Sequence, residues 1–326
     1  MAYPNPTVWI VSDVSPRSAV RASVYDFAAD YPSADEIEFI AASLSDAFDV
    51  KTVSTSDFDV ARIPESDIVF PLWVGGKSRN RTALIPALCE LRNIKHVGAD
   101  AFVHSSCQDK NFSKLIAKQF GIDSPSGLVL SHLVGTEILG RLNFPVVVKP
   151  LYGGASIGIT ESNLCQNQED AYAVAKEIFD RDLGPVIVEE FIKGEEYYMS
   201  FFINMGRIHD YQAVKWVTDK GETFLSDKLF HFDLKVNWDV DLRMEECGDH
   251  VPDYLLQRLE RLFQYFSPID IMRCDFRGPL DNLKLIELTP DMNLAPDAEF
   301  VGGFHQKGYG FPEIYTKIVR HAQEKY

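Results

Sequence analysis

Residues 271–290 read IMRCDFRGPLDNLKLIELTP. In an extended strand, residues two apart face the same side. Arg273 and Asp275 therefore share one face of a strand over 271–276. Glu287 and Thr289 share one face of the next strand, over 283–288. The link 277–282 holds Gly278 and Pro279, which suits a turn between antiparallel partners. Two carboxylates and an arginine then converge on one side, with Met272, Cys274, Ile286 and Leu288 on the other. Clustered carboxylate oxygens are what magnesium prefers, with phosphate oxygens and water filling its octahedron. A half-exposed hairpin with a wet polar face has the same pattern, so this assignment needs company elsewhere in the chain.

The first companion lies upstream, where residues 146–158 read VVVKPLYGGASIG. A β-branched run delivers Lys149 at its end, and Pro150 breaks the strand. Gly153, Gly154 and Gly158 let the backbone approach a ligand closely, and Ser156 adds a hydroxyl. The loop lacks the G-K-[ST] ending of a P-loop. The following IGIT reads as strand, so a Gly-rich hairpin folded over phosphates fits better than a Rossmann turn. An ordinary flexible turn fits equally well on this stretch alone. The second companion is VIVEEFIKGEE at 186–196, an apolar strand that ends in acids, turns at Gly194 and resumes with Glu195 and Glu196. Its backbone and a carboxylate suit a base edge and a ribose.

Further outward, the first hundred residues alternate strand and helix. Strands are expected at 7–12 and 67–73. Helices are expected at 34–48, capped by Ser33 with Ile37, Ile40, Ala41, Leu44 and Phe48 on one face, and at 81–92. A second lobe begins near Ala101, with a helix over 108–120 ending at Gly121. It continues with strands at 145–149 and 185–190 and a helix at 169–181. A third lobe begins near Gly194, with a strand at 196–203, a long polar-aromatic stretch, and helices at 252–266 and 311–322.

The 326 residues carry 32 Lys plus Arg against 48 Asp plus Glu, a net charge of -16. That field repels phosphate backbones and argues against nucleic acid as a partner. Any anion site must then be local. No apolar run approaches the ~20 residues of a membrane helix. No secretory pattern opens the sequence, so a cytoplasmic protein is expected. The five cysteines are scattered without a C-x-x-C pair and read as reduced thiols with no zinc site.

One order now stands out: Lys110 in QDKNFSK, Lys149 in VVVKP with its Gly-rich loop, VEEFIKGEE, Lys215 in YQAVKW, RCDF and LIELTP. In that order the chain resembles the D-alanine–D-alanine ligase branch of the ATP-grasp family. The resemblance implies an α/β, three-lobed ATP-grasp architecture: a Rossmann-like N-terminal lobe (1–100), then two α+β lobes gripping ATP (101–193 and 194–326). It implies ATP and Mg2+ as cofactors and an ADP-forming ligase that joins a carboxylate to an amine through an acyl-phosphate. Lys110 and Lys149 match the lysines on the ATP phosphates, and Gly153, Gly154 and Ser156 the loop covering them. Glu189 and the backbone near Ile192 match the adenine contacts, and Glu196 the ribose carboxylate. Lys215 matches the mobile-loop lysine that reaches the γ-phosphate. Arg273 matches the arginine that stabilises the reacting carboxyl. Asp275 and Glu287 match magnesium ligands. Where the family has Asn to complete the metal site, this chain has Thr289, with Asp291 and Asn293 nearby.

The N-terminal lobe departs from that family. Its substrate-anchoring motifs are replaced by SDVSPRSAVRAS (12–23) and LWVGGKSRNRTA (72–83). Acids are absent between Val14 and Tyr25, while Arg17, Arg21, Lys77, Arg79 and Arg81 appear. Arg79 and Arg81 are therefore expected to grip an anionic group on the substrate, since a guanidinium fork matches a carboxylate. The expected function is an amino-acid or dipeptide ligase of specialised metabolism, acting on small carboxylate and amine substrates. An intramolecular cyclase of the same chemistry and a nucleotide-binding regulatory protein stay open, as does a homodimer.

Overall fold

The computed structural model describes residues 6–14, 24–25, 31–73, 75–76, 78–133, 135–154, 156–231, 234 and 241–325. The first unit is built from β1 (Thr7–Val11), α1 (Ala34–Leu44), β2 (Asp49–Val53), β3 (Ile68–Pro71), α2 (Leu84–Leu91) and β4 (Lys95–His96). Its four strands are all parallel, in the order β2-β1-β3-β4. Ser33 caps α1 as expected: its hydroxyl accepts from the Glu36 N–H at 3.2 Å, and the Glu36 carboxylate returns to the Ser33 N–H. The helix expected from Arg81 opens instead as a 3-10 turn, Arg81–Ala83, before α2.

The helix expected over 108–120 is two helices, α3 (Ala101–Gln108) and α4 (Lys110–Gln119). Asp109 interrupts them with an extended backbone and caps the second, accepting from the N–H groups of Asn111 and Phe112. A second sheet follows, from β5 (Gly127–Leu130), β6 (Val146–Pro150), β7 (Leu164–Cys165) and, after α5 (Gln168–Asp180), β8 (Val186–Glu190). It is antiparallel, in the order β5-β8-β6-β7. The stretch 157–160, expected as strand, is turn and coil, so the Gly-rich segment is a loop and not a hairpin. Asn163 holds it in that shape by donating to the carbonyls of Val148 and Gly158.

The third sheet contains β9 (Glu196–Asn204), β10 (Arg207–Thr218), β11 (Leu242–Glu246), β12 (Ile271–Arg277) and β13 (Lys284–Thr289), with α6 (Asp253–Phe266), α7 (Glu299–Gln306) and α8 (Phe311–Glu324) around it. Its order is β11-β10-β9-β12-β13, antiparallel throughout. The polar-aromatic stretch left unassigned by pattern contains the strands β10 and β11, and α7 was not anticipated. Strand alternation gives this sheet two faces. Met199, Phe201, Met272, Cys274, Leu285 and Leu288 pack on α3, α4 and α6. Phe202 and Ile271 face the other way, into a cluster with Phe300, Phe304, Ile314 and Ile318 that also takes Ile10 and Phe70 from the first sheet. That shared cluster fixes the parallel sheet against one end of the large one and leaves the rest of the face open as a cleft. No helix among the described residues is long and apolar enough to cross a membrane.

Candidate functional site

The cleft encloses about 570 Å³ and is walled by all three sheets. Its floor is the β12–β13 pair. The register sets Asp275 opposite Glu287 and Arg273 opposite Thr289, so the four side chains read from the sequence share one surface. One detail differs from simple alternation. A bulge after Asp275 pairs Phe276 with Leu285, leaving Ile286 as the extra residue. A bulge re-aims the side chain it inserts. Leu285 therefore joins Leu288 in the core, and Ile286, expected in the core, lines the cleft instead.

Arg273 forms a two-pronged pair with Asp275, Nε to Oδ1 at 2.8 Å and Nη2 to Oδ2 at 2.9 Å, and its Nη1 reaches Glu299 Oε2 at 3.1 Å. The Tyr198 ring lies 5.5 Å from the guanidinium. Burial pushes the Asp275 carboxyl up to about 6, against the downward pull of Arg273. Arg277, two residues further along the same strand face, donates to Glu196 Oε2 at 2.8 Å, to the Ile192 carbonyl at 2.6 Å and to the Lys228 carbonyl at 2.7 Å. It ties the 186–196 segment to the floor. The period-two spacing 273, 275, 277 was the signal that would have found it.

Three lysines enter from the second sheet and α4. Lys149 Nζ lies 3.0 Å from Glu189 Oε2, and Lys114 Nζ contacts the other oxygen of the same carboxylate. Lys110 Nζ lies 3.6 Å from Glu287 Oε1 and donates to the Gly153 carbonyl. All four of Lys110, Lys114, Lys149 and Glu189 are less than 8% exposed. Burial acts to raise the Glu189 pKa, but the two ammonium groups beside it hold it down at about 2. Burial lowers Lys114 to about 8. Lys114 was missed in the sequence, although it follows Lys110 at i+4 on one helix face. Glu189, read as an adenine contact, spends its carboxylate on two lysines.

Above them runs the Gly-rich loop. Gly153 holds φ +101, which only glycine adopts without strain, and this turns its carbonyl onto Lys110. An added Cβ at Gly154 would meet nothing within 4 Å, so the loop's outer backbone faces open space. The Ser156 hydroxyl donates to the Phe230 carbonyl at 3.3 Å and joins the loop to the segment that follows β10.

Lys215 is not brought to this cleft. It alternates with Val214 and Trp216 on β10, and Val214 pairs with the cleft-facing Tyr198, so Lys215 points to the opposite face of the sheet. There it meets Glu195 at 3.0 Å and Glu245 at 3.5 Å. The two arginines expected to grip substrate each have a partner within the protein. Arg79 is turned outward onto Tyr152, Nη1 to Oη at 3.3 Å. Arg81, the first residue of its 3-10 turn, is 2% exposed and donates to Gln108 Oε1 at 3.1 Å. Gln108 in turn donates to Asp291 Oδ2 at 3.1 Å. Thr82, one residue on, lines the cleft in their place. Arg17, Arg21 and Lys77 lie outside the described residues. Glu36, brought in by the cap of α1, also lines the cleft, an acid that a search confined to residues 14–25 could not find.

Among the described residues no three His, Cys, Asp or Glu side chains group as a metal cage. The five cysteines are buried and unbridged.

The model of the family described as "D-ala D-ala ligase C-terminus" matches residues 129–320. A D-alanine--D-alanine ligase of Bacillus anthracis (strain CDC 684 / NRRL 3495) is 30% identical over 138 residues, 42% of this chain and 44% of that protein. The chain thus spans less than half the length of the first curated relatives it matches. The D-alanine--D-alanine ligase A of Escherichia coli (strain K12) is 26% identical over 273 residues, 81% of this chain and 71% of that one. The crystal structure of the Bacillus anthracis D-alanine--D-alanine ligase complexed with ATP superposes with a TM-score of 0.70 at 15% identity, covering 98% of this chain and 97% of that one. A match over more than half the chain, joined to this likeness of fold, makes the chain a member of the D-ala D-ala ligase C-terminus family with the ATP-grasp architecture.

Proposed function

We propose that the chain is an ADP-forming ligase that joins a carboxylate to an amine at the expense of ATP, with amino acids or dipeptides as substrates. The observation that carries this reading is the convergence of Lys110 and Lys149 with Arg273, Asp275 and Glu287 on one cleft, with Lys114 behind them on Glu189. Two anions, a carboxylate and a triphosphate, repel each other on approach, and fixed cations in a water-poor site offset that repulsion. The carboxylate oxygen attacks the γ-phosphorus and ADP leaves. The amine then attacks the acyl carbon, the C–O bond to phosphate breaks, and phosphate departs.

In this reading Lys110 and Lys149 hold phosphates, with Lys114 and Glu189 fixing Lys149. The N–H groups of Gly153 and Gly154, with Ser156, cover the phosphates. The backbone at Ile192 meets the base, and Glu196, fixed by Arg277, meets the ribose. Arg273 meets the charge that develops on the reacting carboxyl. Lys215 has no part in it, Arg79 sits on Tyr152, and Arg81 stands beside Gly153 of the phosphate loop.

The residues present fit magnesium. It takes one or two carboxylates and completes its octahedron with phosphate oxygens and water, so a three-acid cage is not required. Asp275 and Glu287 are cross-strand neighbours. Beside them the buried Thr289 hydroxyl has no hydrogen-bond partner among the described residues. Asp291 and Asn293 accept from Gln108 and from the Ala295 N–H, as Asp275 accepts from Arg273. Asp275, Glu287 and Thr289 would hold the ion, and the ion would supply positive charge at the phosphates.

The region that departs from the family bears on the substrate. The family model begins at residue 129 and leaves the first sheet outside the match. The altered stretches 12–23 and 72–83 favour an amino acid other than D-alanine, in specialised metabolism. The test is ADP and phosphate release over pairs of amino acids and small carboxylic acids, with products identified by mass. Turnover and an amide product are expected with at least one pair. Tight ATP binding without ADP release for any pair would favour the nucleotide-binding regulatory reading.

A further inference from the structure

The part of the cleft lining supplied by the first unit and by the loop after β13 has a composition of its own. It includes Ile40, Phe70, Trp73, Val97, Met292 and Leu294. This is an apolar floor, larger than a methyl group needs. Into it are set polar atoms without partners. Both ring nitrogens of His104, the Thr82 hydroxyl and the Trp73 indole N–H are buried and accept or donate no hydrogen bond among the described residues. His104 is 3% exposed, and burial together with the nearby Lys325 charge pushes it down to about 3, so the ring is neutral. A buried polar group left unsatisfied destabilises the fold. Several on one wall of a cleft point to a ligand that supplies what they lack.

Gly98 shows where that ligand group fits. It holds φ +91, and a Cβ built on it would stand 3.5 Å from His104 Nε2 and 3.8 Å from the Pro290 carbonyl oxygen. The missing side chain leaves a niche bounded by an imidazole nitrogen and a carbonyl. The carbonyl only accepts, and a neutral imidazole carries an accepting nitrogen. Asp291, the next residue in the chain, also lines the cleft. A carboxylate placed there would face the Pro290 carbonyl with no proton to offer. A hydroxyl, phenol or carboxamide would donate to that carbonyl and pair with His104 Nε2 in either tautomer.

We infer that the niche at Gly98, between His104 and the Pro290 carbonyl, receives the hydrogen-bond-donating end of a substrate amino-acid side chain larger than methyl, with His104 as the specificity-determining residue. The inference rests on the ligase reading and narrows its substrate class to hydroxyl, phenol or carboxamide amino acids with an apolar stem. It differs from the anionic substrate suggested by the basic loop, whose Arg79 is turned onto Tyr152 and whose Arg81 is engaged by Gln108.

The experiment compares matched amino acids, each as both enantiomers: threonine with valine, tyrosine with phenylalanine, glutamine with glutamate, and alanine as reference. ADP release gives kcat/KM, and calorimetry gives ATP affinity. In the unaltered protein the donor-bearing member of at least one pair is expected to exceed its partner, and alanine, by at least about tenfold, as expected of a site built to hydrogen-bond its substrate. His104→Leu should bring that ratio to near unity without changing ATP affinity, and His104→Gln, which still accepts, should restore part of it. Fastest release with alanine, or with valine, phenylalanine and glutamate over their partners, overturns the inference and leaves the ligase reading standing. So does a pair preference that survives in His104→Leu. No release with any amino acid, nor with any pair in the wider screen of small carboxylic acids and dipeptides, in protein that binds ATP, overturns the ligase reading and this inference together.

Discussion

Glu189 is held between the ammonium groups of Lys114 and Lys149, and all three are nearly closed to solvent. Breaking such a group by removing one partner leaves uncompensated charge and costs about 3–5 kcal/mol. Glu189→Gln should lower the melting temperature and weaken ATP binding together, since Lys149 loses its anchor. The folded pKa of Glu189 is depressed to about 2 from 4.5. Its contribution to stability is therefore fully present above about 4.5 and is lost as pH falls toward 2. The variant should show a shallower loss of stability across that window, measured by denaturant melts from pH 2 to 6. Arg273 makes the complementary case. If it meets charge only in the transition state, Arg273→Ala should lower kcat on the order of 100- to 1,000-fold with ATP affinity nearly unchanged. If it only neutralises Asp275 and Glu299, the loss appears in the melting curve instead, and kinetics measured beside that curve distinguish the two.

At the scale of elements, two turns matter most. Gly194 closes the segment 186–196 with φ +128, and a Cβ there would stand 2.8 Å from the Cα of Gly278 in the β12–β13 turn. Backbone meets backbone, so neither side can yield cheaply. Gly194→Ala should cost about 1–3 kcal/mol and should displace the Ile192 carbonyl from Arg277, raising the KM for ATP. Unchanged ATP kinetics would show that the two turns are not coupled to the nucleotide. These elements also show how far sequence reading reaches. The strands β12 and β13, their turn and their shared polar face follow from period-two alternation, because side-chain direction in a strand is fixed by geometry. The bulge at Ile286 does not, since nothing local marks which strand takes the extra residue. Asp109 reads as part of a helix by hydrophobic pattern, yet its side chain can cap, and capping wins where the chain must turn from α3 into α4. Lys215 shows the opposite failure. Its motif places it on the right strand, but facing depends on register with β9, which a motif does not encode. Arg79 and Arg81 were visible as local charge, and their partners Tyr152 and Gln108 lie 73 and 27 residues away.

Across the whole molecule, one of the joints between the first and third sheets is charged. Lys325 Nζ lies 3.1 Å from Asp270 Oδ2 and also donates to the Gly98 carbonyl, while the Gly98 N–H donates to Asp270 Oδ1 at 2.8 Å. Both Lys325 and Asp270 are almost wholly buried. Burial raises Asp270 to about 6 against the opposing pull of Lys325. A raised carboxyl binds more protons folded than unfolded, so stability falls as pH rises through about 4 to 6. Removing Lys325 pushes Asp270 higher still and extends that loss to higher pH. Lys325→Met should therefore melt close to the unaltered protein near pH 4 and well below it at pH 8, by about 3–5 kcal/mol. A deficit equal at both pH values would mean that Lys325 contributes packing and not charge. The same clasp has a practical side. Gly98 belongs to the cleft wall, and the residue that grips it stands one position before Tyr326. Strain placed on the backbone around Lys325 would therefore reach that wall, so labelled or immobilised preparations should be attached through a surface loop elsewhere before their substrate preferences are compared.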